Sequence, residues 1–294
     1  MSNILFPKVA VLFAAYNGVN WLVEQLDSIL DQSGVRLTIC ISLDLSTDES
    51  FDLCKRLADT HAEVKLLNYG ERFGGAAPNF YRLISEVDFS SYDFVAYADQ
   101  DDIWLPDKLK RACDVLCSGK ADVYSSNVTA FWADGREELV DKAQPSRQLD
   151  HFFEAAGPGC TYVFKQKVML ELQAFVRTLP VHVKKGILHD WLSYAFCREQ
   201  SYRWHIDPKP SVRYRQHASN VVGTNNNWAA YKKRFALIRN EAYRKRVEWL
   251  VSTVAPERFV DISSRFFLLK NFAQLRRRTR DRYFLLVMLL LGIY

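Results

Sequence analysis

The chain has 294 residues, 49% hydrophobic and 25% charged, a globular balance that excludes a disordered or fibrous protein. Residues 228–294 carry 15 Lys/Arg against 5 Asp/Glu, whereas residues 1–227 carry 24 against 29. A mildly acidic body with a basic tail calls for an anionic surface under the tail, and no base-stacking module supports nucleic acid as that partner.

Length allows one large α/β domain, or one domain plus an appendage. The first residues lack the basic stretch and long apolar core of a secretory leader. Six scattered cysteines (Cys40, Cys54, Cys113, Cys117, Cys160, Cys197) read as buried free thiols of a reducing compartment.

Residues 8–15 form a short, nearly continuous apolar run, the pattern of a buried parallel strand. Tyr16-Asn17-Gly18 ends it with turn chemistry. Leu22, Leu26, Ile29 and Leu30 then recur at helical spacing up to Gly34. A second strand over 37–43 stops at Asp44, and Ser46 or Thr47 is placed to cap a helix over 49–60. A third strand covers 64–67, a glycine-bearing loop 68–75, and a helix 76–87 with Pro78 in its first turn. A fourth strand over 94–98 runs into Asp99-Gln100-Asp101-Asp102, and Pro106 opens a helix of about ten residues.

Strand and helix alternate to about residue 118, which predicts a parallel sheet with helices on both faces. Right-handed crossovers place every strand-to-helix loop on one edge, so Asn17, Asp44 and the acidic cluster converge on one cleft. Beyond it the pattern predicts a strand over 121–131, a polar loop over 133–147, a tight turn at Gly157–Thr161 and a strand over 162–164. Helices are expected over 165–176 and 188–197, short strands over 202–206 and 212–215, and a loop at Asn225–Asn227.

Four groups carry chemistry. Ala14-Ala15-Tyr16-Asn17 offers main-chain groups and an aromatic ring to a base, and Asp44 can accept from a base N–H or a ribose hydroxyl. A Gly-x-Gly-x-x-Gly turn and a P-loop are both missing, which argues against a dinucleotide enzyme or an ATPase. Packed carboxylates repel unless a cation sits among them, so Asp101 is the expected ligand of Mg2+ or Mn2+, with Asp99 near a ribose or a metal-bound water. Asp190, in His189-Asp190-Trp191, reads either as a helix N-terminal acid or as a general base. Arg213 and Arg215 share a strand face before His217 and can clamp phosphate or complete a metal shell.

Taken in order, Ala14-Ala15-Tyr16-Asn17-Gly18, Asp44-x-Ser46-Thr47-Asp48, Asp99-Gln100-Asp101-Asp102-Ile103-Trp104-Leu105-Pro106-Asp107-Lys108, His189-Asp190-Trp191 and Arg215-Gln216-His217 resemble the family 2 glycosyltransferases. The resemblance spans roughly residues 8–222 and is closest in kind to bacterial rhamnosyltransferases of lipopolysaccharide core and O-antigen synthesis. It implies a GT-A fold, in which a Rossmann-like, mostly parallel sheet is flanked by helices, over 1–222. The nucleotide-sugar half would be 1–118, the acceptor half 119–222, and a helical extension 223–294. It also implies a nucleotide-sugar donor, dTDP-L-rhamnose or else a UDP-hexose, inversion at the sugar carbon, Asp190 as base, and a divalent metal at Asp101 and His217. Ala14, Ala15, Tyr16, Asn17, Asp44, Asp99, Gln100 and Arg215 would face the donor, and Trp104, Gly159, Cys160, His189 and Trp191 a glycan or glycolipid acceptor. One departure stands out: Leu43-Asp44-Leu45 replaces the more usual Asp-Asp-Gly, leaving one base-reading acid instead of two. A sugar nucleotidyltransferase is the rival enzyme class, and a non-catalytic membrane scaffold the rival without chemistry.

The tail predicts a helix over 228–251, with Tyr231, Phe235, Ile238, Ala242 and Trp249 near one stripe, and a second over 264–282 ending near Arg276-Arg277-Arg278 and Arg280. Residues 283–291 are apolar but too few to span a bilayer. Basic residues beside apolar ones suit a helix lying in an anionic membrane interface, with packing against the body or a dimer interface as the alternative; together with the resemblance, the first reading implies the cytoplasmic face of the bacterial inner membrane.

Overall fold

A computed structural model describes residues 6–217 and 242–294. The apolar runs at the start of the chain form β1 (Lys8–Ala15), β2 (Arg36–Leu43), β3 (Val64–Leu66) and β4 (Phe94–Asp99), alternating with α1 (Leu22–Leu30), α2 (Ser50–Thr60) and α3 (Ala76–Glu86). They pair in parallel in the order β3-β2-β1-β4. Seven of the eight β1 residues are buried, as a strand covered on both faces must be.

The second half extends the sheet with mixed polarity. β5 (Ile103–Trp104) precedes α4 (Lys108–Cys117), followed by β6 (Val123–Phe131), β7 (Glu137–Val140) and β8 (Val163–Lys165). Then come α5 (Gln166–Thr178), α6 (Val181–Gly186), α7 (His189–Glu199) and β9 (Trp204–Arg215). β8 inserts antiparallel between β4 and β6, and β9 joins β6 in parallel.

Two expectations from the second half are corrected. The predicted loop over 133–147 contains β7, a hairpin arm on β6. Its Glu137 and Glu138 are exposed, so its edge position gave no apolar signal. The two short strands expected around Pro208 and Pro210 are one twelve-residue strand, β9. A bulge in the pairing between Ser126 and Val128 absorbs the prolines, and Asn127 Nδ2 donates to the Pro208 carbonyl at 2.9 Å.

The tail departs further from its pattern. Residues 218–241, with Asn225–Asn227 and the first half of the helix expected over 228–251, lie outside the described residues. From residue 242 the chain forms α8 (Ala242–Val254), α9 (Phe259–Ser263), α10 (Arg265–Lys270) and α11 (Thr279–Leu290). The single helix expected over 264–282 is broken after Lys270, where the chain turns so that residues 275–278 enter the body. Arg277 is fully buried and pairs with Asp150 at 3.1 Å and Glu154 at 3.7 Å, and donates to the Ala155 carbonyl at 2.7 Å. Arg276 donates to the Phe153 carbonyl and Arg278 to the Asp141 carbonyl. Val247, Leu250, Leu275, Leu285 and Met288 share one core with Phe153 and Leu192. The three consecutive arginines thus bind the body instead of facing outward.

The cysteines are free thiols, and all but Cys117 are buried. No helix among the described residues is long and apolar enough to cross a membrane.

Arg277→Ala takes from Glu154 its ion-pair partner and strips Asp150 of one of its two arginines. The expected loss is about 3 kcal/mol of stability, read from urea denaturation, because truncating one partner of a buried ion pair strands the other.

Candidate active site

The register of β1 against its neighbours brings the loop ends together. Ala14 pairs with Asp99 on β4, Ala15 with Leu43 on β2, and the Asp44 amide donates to the Ala15 carbonyl at 2.9 Å. The Gln100 side chain closes this edge: its Oε1 accepts from the Tyr16 N–H at 2.8 Å and its Nε2 donates to the Tyr16 carbonyl at 2.9 Å. Gly18 is required beside it, because a Cβ there would stand 2.3 Å from Gln100 Oε1. The Tyr16 ring is left exposed at the edge.

Asn17 has φ of 44°, a left-handed turn that asparagine tolerates. Its Oδ1 accepts from the Thr47 N–H at 2.8 Å, and its own N–H donates to Ser46 Oγ at 3.0 Å. The Asn17 side chain therefore joins the first two loops. Asp44 is buried, and its carboxylate accepts from the amides of Leu45, Phe73, Gly74 and Gly75 at 2.7–3.3 Å. It pins the glycine loop over the end of β2.

The four-residue acidic run separates its carboxylates by burial. Asp99 is half-buried; burial first, then the charges of Asp101 and Asp190, push its carboxyl well up. Asp102 turns inward and is fully buried beside the Cys160 thiol; Oδ1 accepts from the Arg215 N–H at 3.2 Å, and burial first, then Asp101 and Asp99, push its carboxyl far up. Asp99, Asp102 and Cys160 offer three ligand atoms within 4.8 Å of one another. Burial first, and the charge of Asp102 next, push the Cys160 thiol well up.

Asp101 faces the other way. Its Oδ2 lies 2.7 Å from His217 Nε2, and the His217 ring stacks on Trp21 at 4.4 Å. Neighbouring ligands of an octahedral ion at 2.0–2.1 Å stand about 3 Å apart. A hard carboxylate oxygen and an imidazole nitrogen at this spacing fit Mg2+ or Mn2+. Arg215 completes the corner: Nε donates to the Asp101 carbonyl at 2.8 Å and the guanidinium pairs with Glu24. Arg213 and Arg215 both lie over the Phe131 ring, as two residues sharing a strand face must.

Asp190 sits in the first turn of α7, half-buried, where Oδ1 accepts from the Trp191 N–H at 2.8 Å. Burial pushes its carboxyl up to about 6, opposed by that amide and by the charge of Lys142. His189 is stacked on Phe80 at 3.8 Å, and burial pushes its imidazole down to about 3, so it is neutral. Gly159 lets the turn pass close by: a Cβ there would lie 3.0 Å from both Asp190 Cβ and His189 Nε2.

Three aromatic or sulfur residues expected on the acceptor side lie inside the protein. Trp104 is 2% exposed, with Lys108 Nζ 3.6 Å above its ring. Trp191 donates its indole N–H to the His151 carbonyl at 2.9 Å and is buried, and Cys160 is fully enclosed. These tryptophans are pinned by strand pairing and by the buried carbonyl, which pull amphipathic rings inward.

Several supporting residues escaped the sequence reading. Gln25 and Ser28 on α1 and Gln32 just past its end form one polar row: Gln25 donates to the Asp99 carbonyl, Ser28 Oγ accepts from the Trp104 N–H, and Gln32 donates to the Leu105 carbonyl. A polar stripe at helical spacing beside buried leucines was the available signal. Glu24, Trp21 and Lys142 had none, since their partners are remote in sequence.

Residues 10–169 match the family described as Glycosyl transferase family 2. The chain is 43% identical over 288 residues to "dTDP-rhamnosyl transferase RfbG" of Shigella flexneri, covering 96% of this chain and all of that one. The chain belongs to the family 2 glycosyltransferases. Its fold is shared with S. aureus TarS, solved in complex with UDP, at TM-score 0.60 and 14% identity over 93% of this chain and 73% of that chain. The mannosyltransferase PcManGT from Pyrobaculum calidifontis, solved with GDP-Man and Mn2+, superposes at TM-score 0.53 and 18% identity, covering 98% and 81%. The α/β architecture of this glycosyltransferase is thus GT-A.

Gly159→Ala is expected to lower kcat/KM of this glycosyltransferase at least tenfold while leaving its circular dichroism spectrum unchanged. Loss confined to stability, with activity per folded molecule intact, would show that the turn does not shape the Asp190 site.

Proposed function

We propose that the protein transfers a sugar, L-rhamnose from dTDP-L-rhamnose, with inversion, to a hydroxyl of a lipopolysaccharide core, O-antigen or other surface-glycan precursor. The observation that carries the reaction class is the placement of the Asp190 carboxylate, in the first turn of α7 against the Gly159 turn and within the field of Asp99 at the sheet edge. The extended likeness to a dTDP-rhamnosyl transferase carries the choice of donor.

In this reading the donor lies along the ends of β1, β2 and β4. The Tyr16 ring covers the base, while Ala14, Ala15 and Asn17 offer main-chain groups. Gln100 fixes that main chain, and Asp44 fixes the glycine loop over it. Asp99 accepts from the ribose, and Arg215 lies toward the diphosphate. Asp101 and His217 would hold Mg2+ or Mn2+, which neutralises diphosphate charge as the leaving group departs. Asp190 takes the proton of the acceptor hydroxyl while its oxygen attacks the anomeric carbon and the bond to the diphosphate oxygen breaks. Gly159 and His189 form the acceptor wall, backed from inside by Trp104, Cys160 and Trp191.

We also place the protein at the cytoplasmic face of the inner membrane. Phe266 (78% exposed), Tyr283, Phe284, Val287, Leu290 and Leu291 present apolar surface on the tail, with Arg280 and Arg282 beside them. Replacing Phe266 and Leu290 by Asp is expected to abolish co-sedimentation with vesicles containing phosphatidylglycerol; undiminished pelleting would remove the membrane assignment.

Asp190→Asn is expected to reduce kcat by about 10²–10⁴-fold, the range of general-base loss. Because the base works as a carboxylate and its pKa is raised, kcat/KM of the native enzyme should fall tenfold per unit below about pH 6. Survival of turnover in the variant, or an acid limb near the ordinary carboxylate range of about pH 4, would remove Asp190 from that role. Donor competition completes the test: faster turnover of UDP-glucose than of dTDP-rhamnose would replace the donor.

A further inference from the structure

A cavity of about 510 Å3 lies between the loop after β7 and the segment leading into α11. Its wall carries Arg147, Arg277, Arg278, Arg280 and Arg282, and one carboxylate, Asp141. Arg277 is neutralised by Asp150 and Glu154. The others are less well matched. Arg278 reaches the Asp141 carbonyl, Arg282 donates to Thr279 Oγ1 at 2.7 Å, and Arg280 pairs with its neighbour Asp281 at 3.3 Å. Arg147 Nε and Arg282 Nε are buried with no hydrogen-bond partner among the described residues. The Asp141 carboxylate is already held by Asn127, Gln144 and the Ala143 amide. Five guanidinium groups thus face one cavity, and the Nε atoms of two of them lack a partner among the described residues, a site that an anion completes.

A chain of contacts leads from the cavity wall toward Asp190. Next to Asp141 stands Lys142, whose Cγ would lie 3.5 Å from a Cβ on Gly157. Two residues on, a Cβ on Gly159 would touch Asp190, and two residues of chain span at most about 7 Å. Lys142 bridges the two fields: its charge favours the Asp190 carboxylate, while Arg276, Arg277 and Arg278 press upon it. The residues expected at the donor, on the ends of β1, β2, β4 and β9, do not line this cavity. Guanidinium forks match phosphate oxygens in pairs, and several forks suit a dianion better than a single carboxylate.

We propose that this arginine-lined cavity seats a phosphate or diphosphate group carried by the sugar acceptor, so that the acceptor is a phosphorylated glycan or glycolipid. The assignment rests on the reading of Asp190 as the base that faces the acceptor. The seat fixes the acceptor at its anionic end and leaves its hydroxyl at Asp190, which is positioning by remote binding energy. It also accounts for a tail that folds back to bring arginines to the body.

The test uses the full chain and Arg280→Gln/Arg282→Gln, in the first turn of α11, with Arg147→Gln on the opposite wall. Calorimetric titration with inorganic diphosphate, with dTDP saturating the donor site, should show binding to the native protein and at least tenfold weaker binding to either variant. Direct dTDP titration should be equal in all three. With a sugar linked to a prenyl diphosphate as acceptor, KM should rise at least tenfold in the variants at constant donor KM. The same sugar on an uncharged alkyl glycoside should show no such change. Equal diphosphate affinity in native and variant proteins overturns the proposal. So does loss of binding to phosphatidylglycerol vesicles with acceptor KM unchanged, which assigns the arginines to membrane head groups. Failure of dTDP to bind the native protein would instead strike the donor reading, and the diphosphate titration, repeated without dTDP, would still read the cavity.

Discussion

The carboxamide of Gln100 grips both main-chain groups of Tyr16, and the site depends on that grip. β1 and β4 are parallel neighbours, so their ladder ends at Ala14 and Asp99 and offers nothing to the residues beyond. A side chain must supply the missing pair of hydrogen bonds, and only an amide can both donate and accept at that spacing. Once Tyr16 is fixed, Asn17 can turn left-handed and reach the second loop, and Gly18 can start the approach to α1. The space taken by Gln100 is the reason Gly18 carries no side chain. The Tyr16-Asn17-Gly18 turn thus takes its position from the one residue of the acidic run that is not itself acidic.

The same run shows how burial converts a local repulsion into a division of labour. Asp99, Asp101 and Asp102 are too close to be equivalent, and the protein separates them by depth. Asp102 goes inside, against the Cys160 thiol and the Arg215 amide. Asp101 meets an imidazole at the rim, and Asp99 remains between them in the field of Asp190. A carboxyl whose charge is disfavoured by burial and by two neighbouring acids is poised to take up a cation or a hydroxyl proton. Assembling the acids therefore favours any cation or hydrogen-bond donor that reaches this edge.

Much of this was legible in the chain. β1, β2 and β4 were readable because strands buried on both faces are apolar without interruption, and alternation with helices then dictated one common edge. Asp99, Asp101 and Asp190 converge as that edge requires, with His217 returning beside Asp101. The remainder was hidden where the physics is nonlocal. β7 lies at an edge and reads polar, and β9 carries prolines that only its bulge against β6 makes acceptable. Trp104 and Trp191 look like ligand-stacking rings in sequence, yet strand pairing and a buried carbonyl draw them inside. The Asp44 carboxylate is positioned by the amides of Phe73, Gly74 and Gly75, a partnership across a whole helix and strand that no local pattern reveals.

The tail sets the limit of pattern reading most clearly. Arg276, Arg277 and Arg278 form the kind of basic run that solvent or an anionic surface ordinarily satisfies. Here Asp150 and Glu154 lie in the body without enough cations of their own, since Asp150 is fully buried between Arg198 and Tyr194. Two such carboxylates require guanidinium, and the tail supplies it by breaking a helix that its periodicity would continue. That docking has a geometric consequence. It fixes Arg278, and with it the segment leading into α11, against the Asp141 carbonyl, next to Lys142. A tail tethered only by apolar contacts would leave these cations free to drift. The buried pair at Arg277 therefore does more than stabilise: it holds Arg278, Arg280 and Arg282 together on one wall opposite Arg147.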